Sequence, residues 1–167
     1  LDLSTKYLIS LDISISPFES ASFTIGVIKP SSRATAIDTS TELCLIIFPS
    51  THVVYEGIEK IKNNILEDED MKPILSYSSS KAINEKQLKD SGKNYVILRL
   101  GSVYGYSTDT ARIDIMPNLF SKIASQDGMI KLFAGGRQIK SLVPLVDVAR
   151  CFKEMEERDD ISSEIFN

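Results

Sequence analysis

Residue types that mark common functional sites are scarce in this sequence of 167 residues. It has no tryptophan, one histidine (His52) and two cysteines, Cys44 and Cys151, which form neither a C-x-x-C pair nor a metal-ligand spacing. We therefore predict no metal site and expect reduced, buried thiols, as in a cytosolic protein. No run approaches the roughly 18 apolar residues of a membrane span. A cytoplasmic protein without a membrane partner is expected.

The charge of the chain gives no sign of a nucleic-acid partner. Lysine and arginine number 19 against 23 acidic residues, for a net charge of -4. Because nucleic-acid binding needs a clustered basic surface, we expect no nucleic-acid partner. The composition, 43% hydrophobic and 25% charged, is typical of an ordinary globular domain.

Residues 1–43 differ from the rest of the chain. Serine and threonine make up about a third of them, and their periodicity is weak. Only two short strands are suggested there, at Leu8-Ile9 and at Thr24 to Ile28, the second closed by Pro30. We leave 1–43 as a poorly assigned segment. The chain opens with Leu1 rather than Met, and we expect a fragment.

From Cys44 onward, apolar runs alternate with helical patterns. The runs Cys44–Phe48 and Tyr95–Leu100 are typical of strands buried on both faces of a parallel sheet. The alternation predicts an α/β fold with a mainly parallel sheet, which binds ligands at the carboxyl ends of its strands. We also predict a short helix and loop in Glu56–Pro73. Further helices are predicted at Ser76–Ser91, capped by Ser76 and stopped by Gly92, at 113–126, and at Asp147–Arg158, capped by Asp147. Strands are predicted at Met129–Phe133 and from Glu164.

Tyr77 and Lys81 lie one helical turn apart, on one face of the predicted helix. A lysine ammonium there stabilises the phenolate form of tyrosine and prepares it for proton transfer near neutral pH. The pair alone is a weak signal, because a non-catalytic tyrosine at a helix start, followed by a solvated lysine, would give the same spacing. Thr51 strengthens it, since a hydroxyl at the end of a buried strand would face the ligand crevice.

In their order, these residues resemble motifs of the extended short-chain dehydrogenases/reductases, in the NAD-dependent epimerase/dehydratase family. The Ser/Thr before the family's Val-Tyr-Gly turn is matched by Thr51 before Val54-Tyr55. The Tyr-x-x-x-Lys motif is matched by Tyr77 and Lys81, with Glu85 where a glutamate often follows.

Two later stretches extend the resemblance over about 44–167. The family's Arg-x-x-Asn-Val-Tyr-Gly turn is matched from Arg99 to Gly105, with Ser102 in place of the asparagine. Lys140–Ala149 resembles the Arg-Asp-Phe-Val-x-Val-x-Asp-Val-Ala stretch. The resemblance implies a Rossmann-like fold with flanking helices, present in 44–167 as a partial catalytic domain.

One family motif has no counterpart here. The G-x-x-G-x-x-G loop, which holds the cofactor pyrophosphate at a helix N-terminus, does not occur, and the first glycine is Gly26. We therefore expect a domain without its N-terminal glycine-loop unit, and an isolated chain that binds NAD weakly.

The resemblance implies NAD as cofactor, a nucleotide-sugar as substrate, and a homodimer that pairs through the helix of Tyr77 and Lys81. It implies a catalytic set of Thr51, Tyr77 and Lys81. An ordinary turn serine remains an equal alternative at Ser102, and a surface lysine at Lys140. Implied cofactor contacts are Tyr77, Lys81, Ser50 and Gly101, and implied substrate contacts are Thr51, Ser102 and Lys140.

The residues after Thr51 favour one reaction within the family. The family's 4,6-dehydratases place an Asp-Glu acid and base there, whereas this chain has His52-Val53. Because valine cannot transfer protons, dehydration is disfavoured. We expect an epimerase, similar to UDP-glucose 4-epimerases, that works by transient hydride transfer. A reductase or dehydrogenase of the same family and a non-catalytic remnant without the cofactor loop remain alternatives.

Overall fold

A computed structural model describes residues 27–30, 44–106 and 112–167 of the chain. Its strands are β1 (Val27–Pro30), β2 (Cys44–Thr51), β3 (Asn94–Leu100), β4 (Ser102–Tyr104), β5 (Leu142–Pro144) and β6 (Glu164–Phe166). Its α-helices are α1 (Ser76–Asp90), α2 (Met116–Ala124) and α3 (Leu145–Glu157), and two short 3-10 helices span His52–Tyr55 and Phe133–Gly136. The predicted α/β alternation is confirmed, while the suggested strand residues Leu8-Ile9 and Thr24–Gly26 lie outside the described residues.

The strands form two sheets. The larger has the order β1-β2-β3-β6, and the smaller joins β4 to β5. β3 pairs parallel with β6, and β4 pairs parallel with β5. β1 instead runs antiparallel to β2, with Val27 opposite Ile47. An antiparallel strand at the edge of a mainly parallel sheet is common in α/β folds.

The chain divides into two compact units. Among the described residues, one unit comprises those up to Arg99 together with Glu154–Asn167, and the other comprises those within Leu100–Lys153. The buried apolar core lies in the first unit, where β2 and β3 are buried on both faces, as their continuous apolar runs predict. The core side chains are Leu45, Ile46, Ile47, Phe48, Val54, Tyr55, Val96, Ile97, Leu98 and Ile161.

The helix α1 begins at the expected residue but without the expected cap. Leu75, not Ser76, occupies the N-cap position, with an extended backbone (φ -86°, ψ 158°) and a side chain that makes no capping hydrogen bond. The prediction that Ser76 caps the helix is therefore wrong by one position. The end is as predicted, because Gly92 follows the C-cap with φ +68°, a conformation that glycine adopts at little cost.

Two elements of the second unit differ from the prediction. Met129–Phe133 is not a strand, and the backbone instead turns through a 3-10 helix in which Gly135 and Gly136 have φ of +65° and +72°. These left-handed conformations end any extended run. Asp147 is not a cap, because α3 begins two residues earlier, and its carboxylate pairs with Arg150 at 3.0 Å.

Smaller corrections concern short segments. Glu56–Pro73 contains turns and no α-helix, and α2 is shorter than the predicted 113–126. The predicted turn at Ser102 is a short strand, paired with a strand that the sequence did not suggest. Cys151 is half-buried rather than buried. Within the described ranges, no helix is both long and apolar enough to span a membrane.

Candidate active site

Tyr77 and Lys81 share one face of α1, as their spacing predicts. The Lys81 Nζ lies 6.0 Å from the centroid of the Tyr77 ring. Tyr77 is the second residue of the helix and is 51% exposed, whereas Lys81 is only 6% exposed. The tyrosine can therefore meet a ligand from solvent, while the lysine reaches inward beneath it.

The Lys81 ammonium is anchored at the end of β2. It donates a hydrogen bond of 2.9 Å to the carbonyl oxygen of Pro49 and lies 5.0 Å from the centroid of the Phe48 ring. Burial lowers the pKa of Lys81 below its usual value, and the nearby Glu85 carboxylate opposes that shift. Since Ser50 and Thr51 directly follow Pro49, the lysine joins the helix to the part of β2 that carries both hydroxyls.

Thr51 is the last residue of β2 and is buried. Its Oγ1 accepts a long hydrogen bond of 3.4 Å from the backbone N–H of Val53, so the side chain caps the 3-10 helix that follows. A hydroxyl that accepts one bond still has its own proton to donate. His52, the first residue of the 3-10 helix, is half-buried.

A buried charge network lies one turn beyond Lys81. The Glu85 carboxylate accepts hydrogen bonds from Arg99 Nε at 3.1 Å and from Arg99 Nη2 at 2.7 Å. The Ser50 hydroxyl donates to the same carboxylate. Burial alone would lower the pKa of Arg99, but the hydrogen bonds and charge of Glu85 raise it above its usual value. The network ties α1, β2 and β3 together behind the proposed catalytic residues. Ser50, for which we expected a cofactor contact, is 4% exposed and directs its hydroxyl inward.

Arg99 extends this network to a loop. Its Nη1 donates to the carbonyl oxygen of Glu67 at 3.0 Å and also to the Tyr55 hydroxyl. The side chain of Asn167 reaches the same loop, donating to the Ile65 carbonyl oxygen at 2.8 Å. The loop before α1 is therefore held by the ends of both β3 and β6.

The other expected ligand contacts lie in the second unit, around Ser141. The N–H of Ser102 donates to the Ser141 carbonyl oxygen at 2.8 Å. A Cβ on Gly101 would lie 3.0 Å from that oxygen, so glycine permits a close approach of backbone to backbone here. Lys140 precedes Ser141 and is exposed. Ser50, Thr51, Tyr77 and Lys81 all belong to the first unit.

Sequence reasoning missed Glu56 and Ser78. The Glu56 Oε1 accepts the N–H of Ile74 at 2.7 Å and of Leu75 at 2.6 Å, and the fully buried Ser78 donates its hydroxyl to the same oxygen. One signal was available, because Glu56 stands where the Val-Tyr-Gly turn has glycine. In the part of the chain that the structure describes, no group of three or more His, Cys, Asp or Glu side chains could hold a metal ion.

Comparison with known proteins identifies the class. The model of the NAD dependent epimerase/dehydratase family matches residues 34–167. The chain therefore belongs to the NAD-dependent epimerase/dehydratase family, and the recognition made from its motifs is confirmed. No curated protein matches the chain significantly in sequence.

Solved structures show the same fold. The UDP-glucose 4-epimerase of Thermotoga maritima with UDP-glucose matches at a TM-score of 0.62 and 25% identity, over 74% of this chain and 40% of that chain. A UDP-glucuronic acid 4-epimerase variant of Bacillus cereus, with a fluorinated UDP-glucuronic acid and NAD, matches at 0.62 and 24%, over 74% and 39%. The dTDP-glucose 4,6-dehydratase of Bacillus anthracis with NAD matches at 0.60 and 20%, over 72% and 39%.

These matches confirm the Rossmann-like fold. They also show that the chain spans about 40% of the length of the matched structures. The family match starts at residue 34, and β1 already pairs with β2 at residues 27–30. The division into 1–43 and 44–167 stays a prediction.

Proposed function

We propose that an enzyme containing this chain is an NAD-dependent epimerase of nucleotide-sugars, acting in the cytoplasm. The observation that carries the proposal is the anchored Lys81 ammonium. It is bound to the Pro49 carbonyl oxygen, one helical turn from the exposed Tyr77 and directly before Ser50 and Thr51. An ammonium near a tyrosine phenol and a strand-end hydroxyl supports an acid–base role for Tyr77.

The residues present fit the nicotinamide-ribose end of NAD. Lys81, which is 6% exposed, would bind the ribose hydroxyls through its ammonium, and Tyr77, which is 51% exposed, presents its phenol to solvent. Ser50 and Gly101 remain proposed neighbours of the cofactor. When bound there, NAD would supply the acceptor and the later donor of the hydride from the sugar carbon.

The chain's own side chains would handle the proton. Tyr77 takes the proton from the sugar hydroxyl, with the positive charge of Lys81 one helical turn away. Thr51 donates a hydrogen bond to the same sugar oxygen. After the keto-sugar rotates to present its other face, Tyr77 returns the proton, and the sugar carbon has the opposite configuration.

Val53 weighs against water elimination. It stands in the 3-10 helix directly after His52, where a dehydratase of this family carries its second acid–base residue. A hydrocarbon side chain cannot take a proton from carbon or give one to a leaving hydroxyl. Epimerisation needs neither step.

The second unit offers two groups for the nucleotide diphosphate. Lys140 is exposed and cationic, and Ser102 stands one residue after the close approach at Gly101. Both flank the Ser141 carbonyl to which the Ser102 N–H is bound. We propose phosphate contacts for Ser102 and Lys140, as charge-assisted hydrogen bonds to phosphate are strong.

We also propose a homodimer through α1. Ile83 is 54% exposed on one face of the helix, although the opposite face of the helix is buried against the rest of the first unit. An apolar side chain on the outer face suits a helix that pairs with a second copy. A protein that sediments strictly as a monomer would contradict the dimer.

A labelled-substrate assay tests the function. UDP-glucose deuterated at the sugar C4 is incubated with NAD and the active enzyme, and the products are examined by NMR. We expect the C4 epimer with the deuterium retained, because the hydride leaves and returns without meeting solvent. Net accumulation of reduced cofactor would instead indicate a dehydrogenase, a 4-keto-6-deoxy product a dehydratase, and no turnover on any nucleotide-sugar a non-catalytic remnant.

A further inference from the structure

Glu56 links two elements that carry proposed catalytic residues. It directly follows the 3-10 helix His52–Tyr55, which begins one residue after Thr51. Its Oε1 accepts the N–H groups that precede α1 and the hydroxyl of Ser78, the residue next to Tyr77. One carboxylate oxygen therefore connects the end of β2 to the first turn of α1.

Helix α1 has no cap from its own N-cap side chain, and Glu56 contacts it through the two N–H groups before the helix and the Ser78 hydroxyl. The first N–H groups of a helix need partners, and the N-cap side chain usually supplies one. Leu75 occupies that position and cannot do so. The hydrogen bond from Ser78, followed by those from Leu75 and Ile74, holds the pKa of the Glu56 carboxyl below its usual value. The ionised carboxylate also suits the positive end of the helix dipole.

The segment before α1 is fixed to the same turn by backbone contacts. The N–H of Lys72 donates to the Val54 carbonyl oxygen at 2.8 Å, and the N–H of Gly57 donates to the Lys72 carbonyl oxygen at 2.9 Å. A Cβ on Gly57 would lie 2.6 Å from that oxygen, so the approach is close. The Glu56 side chain extends these contacts to the helix, through its hydrogen bond from the Ser78 hydroxyl.

We propose that Glu56 is a positioning residue, which fixes the first turn of α1, and with it Tyr77, against the end of β2 that carries Thr51. The kinetic consequence rests on the proposed function, but the orientation of the helix does not. The family motif that this turn resembles has glycine at this position, and glycine has no side chain to do this.

Variants of the whole chain separate positioning from simple capping. Glu56→Ala removes all three hydrogen bonds, whereas Glu56→Gln keeps an Oε1 acceptor. In Glu56→Ala combined with Leu75→Asp, an aspartate at the extended, exposed N-cap rebuilds a cap inside α1 without the link to the 3-10 helix. Glu59→Ala, which removes an exposed carboxylate of the same segment, is the matched control.

Two NMR measurements give the structural answer. Amide hydrogen exchange reports whether the first turn is formed, and residual dipolar couplings report the direction of α1 relative to β2. We expect Glu56→Ala to lose protection at Ile74 and in the first turn of α1 and to change the direction of α1, and Glu56→Gln to restore both. Leu75 is a less sensitive probe, because its N–H also donates to Ser78 Oγ at 3.1 Å. The double variant should recover a protected first turn but not the helix direction. If α1 keeps its direction in Glu56→Ala, or regains it in the double variant, Glu56 is only a cap and the proposal fails.

Kinetics give the functional answer. In an active enzyme that contains this chain, Glu56→Ala should lower kcat by about tenfold or more, with a smaller change in KM, because a small misplacement of a reacting group is costly. The added Leu75→Asp should leave that loss in place, and full recovery of kcat would overturn the proposal. If no form of the enzyme epimerises a nucleotide-sugar, the proposed function fails, while the dipolar couplings still decide the role of Glu56.

Discussion

Arg99 and Glu85 form an ion pair whose side chains are 1% and 0% exposed, with Arg99 Nη2 2.7 Å from Glu85 Oε2. Replacing Arg99 with methionine would leave a buried carboxylate without its counter-charge. We expect Arg99→Met to lower the free energy of unfolding by about 3–5 kcal/mol, as measured by urea denaturation.

The matched control is Arg158→Met in the same unit. Arg158 pairs with Asp160 at 2.6 Å, but its side chain is 45% exposed, and that of Asp160 is 67% exposed. An exposed pair contributes about 0–1 kcal/mol, so this loss should be small. Equal losses of unfolding free energy in the two variants would show that the buried Arg99–Glu85 pair stabilises the fold no more than an exposed pair.

Tyr77→Phe tests the acid–base assignment. The substitution keeps the ring, which is half exposed at the start of α1, but removes the only group proposed to take the substrate proton. Turnover of the active enzyme should fall by about 10²–10⁴-fold, with the unfolding midpoint almost unchanged. Tyr95→Phe, which alters a half-buried tyrosine of β3, serves as control. Retention of more than about a third of the turnover, far above what loss of an acid–base group allows, would end the catalytic assignment.

In an active enzyme that contains this chain, Lys81→Met should weaken both cofactor affinity and rate, because one ammonium is proposed to bind the nicotinamide ribose and to assist proton transfer at Tyr77 through its charge. Titration calorimetry with NAD and steady-state kinetics measure the two effects. Lys86→Met, at an exposed position of the same helix, should change neither. A Lys81 variant with normal NAD affinity and a reduced rate would remove the ribose role and leave only the electrostatic one.

Thr51 can be tested with a pair of substitutions. Thr51→Ser keeps the hydroxyl, both for the substrate and for the bond from the Val53 N–H, and should be mild. Thr51→Val keeps the shape but loses the hydroxyl, so kcat should fall clearly. Loss of the cap should also cost about 1 kcal/mol of stability, and kcat is therefore compared well below the unfolding temperature. Equal kcat values for serine and valine would exclude the proposed hydrogen bond.

The sequence predicted the parts of the fold that depend on local pattern. The strands around Ile47 and Ile97 were found because strands buried on both faces carry unbroken apolar runs. The shared face of Tyr77 and Lys81 followed from helical spacing alone. The stop of α1 at Gly92 followed from the preference of glycine for a left-handed backbone.

The parts that were missed depend on contacts between distant residues. Glu56 binds the start of a helix that begins 20 residues later, and Glu85 and Arg99 meet across 14 residues. The strand at Val143 is defined by its partner Val103, not by its own residues. The apolar residues before Gly135 suggest a strand, but two successive glycines with positive φ turn the chain instead.

The hydrogen bonds to Glu56 predict how stability depends on pH. They lower the pKa of its carboxyl from 4.5, with Ser78 as the largest cause. A carboxyl whose pKa is lower in the folded state stabilises the fold above its unfolded pKa, and that contribution is lost as the pH falls through the folded value. Wild type should therefore lose stability below about pH 4.5 more steeply than Glu56→Gln, which cannot ionise there.

Urea denaturation of both proteins from about neutral pH to about pH 3 measures this difference across the range in which the carboxyl gains its proton. Asp114 and Asp160 also have lowered pKa values, through hydrogen bonds from Arg112 and Arg158, but they are present in both proteins. Their contributions cancel when the two stabilities are subtracted, so the remaining slope reports Glu56. A difference that stays constant across this range would mean that Glu56 titrates alike in the folded and unfolded chain. The three hydrogen bonds would then not lower the pKa of the Glu56 carboxyl in the folded chain.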